Sequence, residues 1–523
     1  MLITSLYFTG CAVGPDFKEP DAPIAEHWLN QNNPKLNIDQ QVDYSDWWEI
    51  FNDPVLTTLV EKAYNQNLNL HIAGLRILET RAQLGIALGQ QYPQTQQLNG
   101  GAIYSRLSQN APNQAIADRN FWDYNIGFDA AWEMDFWGRF RRGAESARAD
   151  YGASITNYDD ILVSLTAEVA TVYINLRIQQ ERLAIALNNV KTQKRSYEIA
   201  NIRFNNGAVS ELDPMQALSL LRNTEATIPA LEVSIKQTRY ALSTLLGMPP
   251  SNLEDLLTGV EKIPVAPENL TLGIPADLLR RRPDVRLTEL QAAAQSANIG
   301  IAKAELFPRF ILLGSVGFQS SDNGSFRSNG AHLGDLFDGS SFTWFVGPSV
   351  NWNILNYGRI RNDVRVQDAR LQELIVNYQN SVLTAAREVE DGVAAFLGAQ
   401  SEVKYLKDSA WAAERAVELA QIQYRDGAVA YTRVLDTQGT LLQQQDRLTE
   451  RKGTINTSLI SVYKALGGGW QLRHGKAFVP ATIRKEMHER TDWGDLQTED
   501  LPETQPEAPA PASQQPWFPK IEF

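Results

Sequence analysis

The sequence predicts an internally duplicated α+β membrane protein, in which each chain supplies four β-strands and two long helical hairpins. Three observations lead to this fold class. Two runs of 69 residues, 138–206 and 358–426, contain no proline and keep a helical apolar periodicity. Two short segments, 121–132 and 342–352, alternate apolar and polar residues with a period of two. The landmarks of the first half also recur 220 residues later in the second half.

Composition limits the classes of function. The chain has 523 residues and a net charge of -13, which argues against nucleic-acid binding because phosphate recognition needs basic patches. Its single cysteine excludes an intramolecular disulfide. No apolar run reaches the roughly 18 residues of a membrane-spanning helix, so we expect no helical membrane domain. Short alternating strands leave a transmembrane β-barrel open.

The start of the chain has the features of a processed secretory segment. Residues 1–10 are apolar, end in small residues and are expected to be the remnant of a signal peptide. The letters FTGC, from Phe8 to Cys11, resemble a bacterial lipobox, which would make Cys11 the acylated first residue of the mature protein. The alternative is an ordinary buried cysteine. Residues 11–52 are rich in Pro, Asn, Gln and Asp and are expected to extend along a larger body.

The first repeat is expected to span residues 53–250. Asp53 as the N-cap and Pro54 in the first turn predict a helix that runs to about Gln91. If the long proline-free run is one helix, its length is roughly 100 Å. The further elements expected here are a strand pair at 94–134, a long helix at 138–206, a tip at 204–213 and a return helix at 210–247.

The strand segments have the pattern of membrane-crossing strands. The segment 121–132 is long enough to cross a bilayer when tilted, and Trp122 and Trp132 place an aromatic residue near each end. An apolar face with aromatic residues at both membrane interfaces and a polar lumen face are typical of transmembrane barrels. The equivalent segment 342–352 repeats the pattern and ends in Trp352.

The second repeat follows a proline-spaced linker at 251–274 and is expected at 275–470. Gly358 follows Gly138 by 220 residues, as Trp352 follows Trp132. A constant offset over many landmarks indicates duplication. The expected elements are a helix from about Pro275, a strand pair at 309–353, a long helix at 358–426, a tip at 424–436 and a return helix at 430–467.

The number of strands bears on the assembly. Four strands cannot close a barrel, and an open sheet edge is not tolerated in lipid. The barrel must therefore be shared, and three chains would supply 12 strands, which is within the known range. The helices would then continue into the periplasm as a hollow cylinder of hairpins. The alternative is a soluble helical repeat protein with incidental β-hairpins.

Several motifs are specific enough to compare with known families. Besides the two tips, they are CAVGPDFKEP at Cys11, DWWEIFNDPVL at Asp46, WEMDFWGRFRR at Trp132, RRPDVR at Arg281 and ALGGGW at Ala465. With these motifs the chain resembles the TolC-like outer-membrane efflux factors, in particular the lipoprotein branch of OprM/NodT type. The resemblance covers about residues 11–470. It implies a homotrimer with a 12-stranded β-barrel in outer-membrane lipid, a periplasmic α-barrel, and an equatorial belt to which residues 11–52 contribute.

The resemblance also implies a function. It predicts the outer-membrane channel of a tripartite efflux system, a passive duct that docks to a periplasmic adaptor (membrane fusion protein) and an inner-membrane resistance-nodulation-division (RND) transporter. Such a duct carries small molecules or drugs and is lipid-anchored in the outer membrane of a Gram-negative bacterium. The alternatives are a type I protein-secretion channel and a soluble periplasmic coiled-coil scaffold. No catalytic constellation, phosphate loop or metal-spaced cluster appears in the sequence, so no enzyme activity or cofactor is expected.

The second tip is expected to form a gate. By the resemblance, Asp436 of the VLD motif would form an anionic ring at the narrowest periplasmic point, while the alternative is a solvated carboxylate near a helix start. Tyr424 and Asp213 fall on the positions of a polar link between hairpins. Arg433 stands where the family often has a second aspartate, so the ring should be less anionic. We hypothesise that Arg433 pairs with Asp213 or Asp436.

Both tips are expected to dock the adaptor. Each has the letters GAV followed by a small residue, which permits close approach by another helical hairpin. That these are turn residues with a left-handed Gly is an alternative that does not exclude docking. An arginine that the family often carries is replaced in the second tip by Val429, so one charged link is absent. The docking residues are Gly207, Ala208, Val209, Ser210, Gly427, Ala428, Val429 and Ala430.

Residues 471–523 lie beyond the part covered by the resemblance. They are rich in Pro, Gln, Glu and Ala. Segments of this composition bury little apolar surface, so we expect this extension to be disordered or loosely wrapped, and we assign it no function.

Overall fold

The fold was examined in a computed structural model of the chain. The structure describes residues 12–38, 43–110, 119–259, 262–273, 281–323, 330–497 and 500–515. Cys11 and residues 1–10 lie outside these ranges. The elements are β1 (Leu36–Ile38), α1 (Pro54–Gln66), α2 (Leu68–Gly89), β2 (Thr95–Arg106), β3 (Asn120–Met134), α3 (Arg139–Asn205), α4 (Leu212–Leu245), β4 (Leu270–Leu272), α5 (Pro283–Ala304), β5 (Arg309–Ser321), β6 (Phe342–Asn351), α6 (Arg359–Arg425), α7 (Tyr431–Ala465) and α8 (Ala481–Arg490).

The four long strands form one antiparallel sheet in the order β2, β3, β5, β6. Its pairing register sets Leu98 opposite Phe128, Phe128 opposite Val316, and Val316 opposite Trp344. Residues directly opposite one another share a face of the sheet, and all four of these side chains are exposed. Within the described residues, β2 and β6 are each paired on one side only. A single chain therefore presents an exposed apolar sheet face and two open edges.

Two helices of equal length extend from this sheet. Helices α3 and α6 each have 67 residues, which corresponds to about 100 Å at 1.5 Å per residue. Each begins after a glycine in the left-handed region, Gly138 at φ 77° and Gly358 at φ 81°. Each packs against the helix that follows it, α4 or α7, as an antiparallel hairpin. The sheet and the tips of the hairpins therefore lie at opposite ends of the long helices.

Helix α3 is also apolar enough to cross a membrane by length and composition. An 18-residue window has a mean hydropathy of 1.5, and 61% of that window is buried inside the structure. The sequence analysis did not expect such a segment, because polar residues interrupt the apolar ones along α3. A mostly buried window is typical of a core helix, and we interpret α3 as one.

The first helical segment differs from the expected single helix, because it is broken at Asn67. The backbone of Asn67 is extended, with φ -65° and ψ 123°. Its side-chain oxygen accepts a hydrogen bond from the Leu70 amide at 3.0 Å, and its amide donates to the Leu245 carbonyl at 2.9 Å. Asn67 therefore ends α1, caps α2 and ties this junction to the end of α4.

Three of the sequence motifs meet at one buried place, which we call the equatorial cluster. The Trp47 ring of the DWWEIF motif stacks on Tyr463, with ring centroids 5.5 Å apart. A Cβ at Gly468 of the ALGGGW motif would lie 3.1 Å from the Trp47 ring, so little more than a glycine fits there. Arg282 of the RRPDVR motif donates to the Ala465 carbonyl at 2.6 Å and so caps the end of α7.

A buried carboxyl beside the equatorial cluster makes stability depend on pH. Burial raises the pKa of Asp160 to about 6, with a further contribution from Asp284 and an opposing one from Arg282. Since the folded chain then holds a proton that the unfolded chain releases near pH 3.8, the stabilisation is full below that value and is lost as the pH rises through about 6. We expect Asp160→Asn to weaken this pH dependence and to stabilise the protein by roughly 1–2 kcal/mol at neutral pH. Melting temperatures of both proteins at acidic and neutral pH test this, and parallel curves would contradict it.

The C-terminal extension differs from the expected disordered segment. Phe478 and Val479 are buried, and a Cβ at Gly74 of α2 would clash with the Phe478 carbonyl. Residues 500–515, here called the strap, lie along the body, and Ala512 is completely buried. Composition failed to predict this because the strap is held through its backbone carbonyls, for example by the Arg286 Nε, which donates to Pro506 at 2.7 Å.

Candidate gate at the hairpin tips

Both tips end their long helices in the same way. At tip one the Gly207 amide donates to the Phe204 carbonyl at 2.8 Å and the Ala208 amide to Arg203 at 2.9 Å; at tip two the equivalent bonds start from Gly427 and Ala428, at 3.0 and 2.8 Å. This pair of bonds is the Schellman motif, which needs a residue at positive φ. Gly207 and Gly427 supply it, with φ of 70° and 79°. A Cβ at Gly207 would meet no atom within 4 Å, so only the backbone conformation requires glycine there.

Tyr424 at the end of α6 joins the two hairpins. Its phenol donates to Asp213 of α4 at 3.0 Å. The Arg203 guanidinium of α3 lies over the Tyr424 ring, 4.6 Å from its centroid. The same guanidinium donates to the Tyr424 carbonyl, one of the carbonyls that the end of a helix leaves without an intrahelical partner. We call Arg203, Asp213 and Tyr424 the tip clamp.

The chemistry of the tip clamp favours a stable link. Burial raises the pKa of Tyr424, and the hydrogen bond to Asp213 raises it further. The phenol therefore stays protonated at neutral pH and remains a hydrogen-bond donor. A hydrogen bond to a carboxylate and a cation over an aromatic face are each stronger when water is excluded, and only 2% of Tyr424 is exposed.

A small apolar cluster supports the tip clamp from within. Tyr431 packs edge-to-face on Tyr424, with centroids 5.1 Å apart. The side chains of Ala200, Ala217 and Val434 complete the cluster and are buried. Small residues on α3 and α4 allow the aromatic residues of the second hairpin to fit closely between the helices.

Asp436 and Arg433 lie on the first turns of α7, outside the tip clamp. Both side chains are exposed. Among the described residues, the salt bridges do not include a pair between Arg433 and either Asp213 or Asp436. The hypothesised pairing is therefore not formed within one chain. The clamp carboxylate Asp213 bonds to Tyr424 instead.

Sequence reasoning placed Tyr424 and Asp213 together, and the structure joins them. It missed Arg203, although the residue stands four positions before the tip glycine. An arginine at the end of a long helix is usually solvated or interacts with its own helix end, and its contact with the other hairpin depends on tertiary packing. The eight small tip residues are exposed or half-buried and lie on the outside of the clamp.

The N-terminal segment is fixed at the other end of the long helices. The Val13 amide donates to the Trp137 carbonyl at 2.9 Å. Gly14 has a φ of 99°, and a Cβ there would lie 2.4 Å from the Gly300 Cα. This contact needs glycine at both positions. The predicted anchor Cys11 lies outside the described residues, two positions before Val13.

The sheet, the paired 67-residue helices and the bridged tips define the class of outer-membrane efflux channels. The chain belongs to the family Outer membrane efflux protein, which residues 59–248 and 274–468 match. It is an outer-membrane efflux factor of OprM/NodT type, as its motifs predicted.

Its relatives extend over most of the chain. Nodulation protein T of Rhizobium leguminosarum bv. trifolii is 29% identical over 85% of this chain and 91% of its own. The cation efflux system protein CusC of Escherichia coli K12 is 28% identical over 89% of this chain and 98% of its own. The probable efflux pump outer membrane protein TtgC of Pseudomonas putida KT2440 is 27% identical over 92% and 98%.

Solved structures share the fold. The outer-membrane channel OprN superposes with a TM-score of 0.81 at 31% identity, covering 88% of this chain and all of that one. The open state of the Neisseria gonorrhoeae MtrE outer membrane channel gives a TM-score of 0.72 at 28% identity, with 88% and 99% coverage.

Proposed function

We propose that this protein is the passive outer-membrane duct of a tripartite RND-type efflux system. It carries small molecules from a periplasmic adaptor and an inner-membrane pump to the exterior. The observation that supports this most directly is the joining, in one chain, of an open-edged sheet with an exposed apolar face to helical hairpins about 100 Å long. Such a sheet suits lipid, and such helices suit a conduit across the periplasm. This role needs no catalytic residue, and within the described part of the chain no group of three His, Cys, Asp or Glu side chains is placed to hold a metal ion.

The assembly that we propose is a homotrimer. Edges β2 and β6 of one chain pair with the corresponding edges of its neighbours, which closes a 12-stranded barrel. The chain is built from two repeats, 53–250 and 275–470, because strands, long helices and glycine caps recur at matching positions. Residues 11–52 and the linker 251–274 belong to the equatorial belt, in keeping with the parallel pairing of β1 and β4.

The barrel places the protein in the outer membrane of a Gram-negative bacterium. Acylation of Cys11 anchors it there as a lipoprotein, since Val13 is held at the junction between strand β3 and helix α3. The membrane fraction and the oligomeric state test the whole proposal. We expect a heat-modifiable trimer in the outer-membrane fraction. A monomer in the soluble periplasm would contradict it and favour a coiled-coil scaffold.

The periplasmic mouth of this duct is a gate. The tip clamp, Tyr424 with Asp213 and Arg203, holds the two hairpins of one chain together. Asp436 forms a ring of three carboxylates around the axis, and Arg433 contributes the opposite charge there, across a subunit boundary. The exposed tip residues 207–210 and 427–430 dock the adaptor, whose own helical hairpins can approach the small side chains closely.

Removing the ring carboxylate should change ion selectivity. We expect Asp436→Asn to lower the cation-over-anion permeability ratio about fivefold, because each lost charge weakens attraction by roughly 1 kcal/mol at a few ångströms in a water-filled mouth. Reversal potentials in planar bilayers under a salt gradient measure this ratio. The matched control is Asp426→Asn, an exposed carboxylate at the same tip that lies outside the VLD motif. Equal effects of the two substitutions would refute the ring.

A further inference from the structure

The strap leads from the equatorial cluster to the start of α3. A Cβ at Gly152 would lie 3.2 Å from the Pro506 Cβ. Nearer the sheet, the Ala512 amide donates to Glu145 at 2.9 Å. The Arg141 Nη1 donates to the Gln515 carbonyl at 3.0 Å. The strap therefore runs antiparallel to α3, and Gln515 lies beside the first turn of that helix.

The N-terminal segment reaches the same place from the other direction. Asp16 forms an ion pair with Arg142 at 2.7 Å and accepts a hydrogen bond from Ser513 at 2.8 Å. Together with the Val13 bond to Trp137, these contacts bring both chain ends to the junction between β3 and α3. Under the proposed function, this junction is the periplasmic boundary of the membrane, because β3 ends at Met134.

The next residues have the composition of an interfacial segment. Residues 516–523 read PWFPKIEF and lie outside the described residues; four of the eight are large and apolar. Trp prefers the interface between hydrocarbon and water. The groove at the junction is already filled, because the side chains of Arg141, Arg142 and Glu145 are 0–2% exposed beneath the strap and the N-terminal segment.

We propose that residues 516–523 bind the periplasmic surface of the outer membrane and act as a second interfacial anchor beside Cys11. The partner is the phospholipid interface. A single acyl chain binds membranes marginally, and stable anchoring takes two signals. The strap would supply the second signal at the level of the first.

Lipid contact can be measured in the full-length trimer. With Cys11 replaced by Ser and a cleavable secretion signal in front, an introduced cysteine is the sole thiol, since the chain has one cysteine. Trp517→Cys, labelled with an environment-sensitive fluorophore, is reconstituted in vesicles with lipids brominated at shallow or deep positions. We expect a blue-shifted emission that is quenched more by shallow than by deep bromines.

Two control sites separate the possible outcomes. Ala510→Cys on the exposed part of the strap should be unquenched. Trp344→Cys on the apolar sheet face should be quenched, and its failure would overturn the proposed function itself. Quenching at 344 without quenching at 517 would overturn the anchor alone. A blue-shifted but unquenched probe at 517 would show that the segment covers protein instead of lipid.

Discussion

Replacing Tyr424 by alanine is expected to loosen the periplasmic end of the channel. Tyr424 is nearly fully buried, and through it the second hairpin receives its bonds from both Asp213 and Arg203. Loss of a buried aromatic side chain typically removes about 3–5 kcal/mol. A change of this size would shift an open–closed equilibrium at the tips by a factor of about 100 or more.

Single-channel conductance in planar bilayers measures this opening, and cellular uptake of an antibiotic too large for the closed channel gives a second readout. Tyr424→Phe is the matched control. It keeps the ring under Arg203 and against Tyr431 but removes the phenol, so we expect an intermediate effect of about 1.5–3 kcal/mol. Arg203→Met removes the guanidinium and should also increase conductance. A Tyr424→Ala channel that conducts as the wild type does would rule out the tip clamp as a gate element.

The second large effect is expected at the opposite end of α3. Arg473 donates to both carboxylate oxygens of Asp159, at 2.5 and 3.3 Å, and to the Pro502 carbonyl of the strap at 2.7 Å. The two charged side chains are 1% and 0% exposed. Arg473→Met would leave the Asp159 carboxylate buried without its partner, which costs about 3–5 kcal/mol.

The melting temperature of the purified trimer, followed by helical circular dichroism, tests this loss. The control is Arg415→Met, which breaks an exposed pair with Glu418 and should change stability by less than about 1 kcal/mol. A double variant, Asp159→Asn with Arg473→Met, removes both charges and should recover part of the loss. If Arg473→Met melts like the Arg415 control, the buried pair does not stabilise the protein.

The parts of the fold that depend on local signals were predictable from the sequence. The long helices start and end within two residues of the predicted positions, because glycines in the left-handed region lie at their ends. The strands followed from the alternation of aromatic and polar residues. The link between Tyr424 and Asp213 came from the resemblance, since the two residues are 211 positions apart.

The parts that depend on tertiary contacts were not predictable. The break at Asn67 depends on the Leu245 carbonyl of a distant helix. The strap is ordered by arginines of the body that bind its backbone, and a proline-rich composition does not reveal such bonds. Arg203 is one of several basic residues on α3, and its role at the tips depends on where α6 ends.

The equal lengths of α3 and α6 constrain how the protein can evolve. A one-residue insertion within α3 would move its tip by about 1.5 Å and turn it by roughly 100°, which would carry Arg203 away from Tyr424. A compensating change in α4 or α6 would be needed to restore the contact. We therefore expect insertions and deletions among relatives to avoid single positions in these helices, and to occur in pairs or in whole turns.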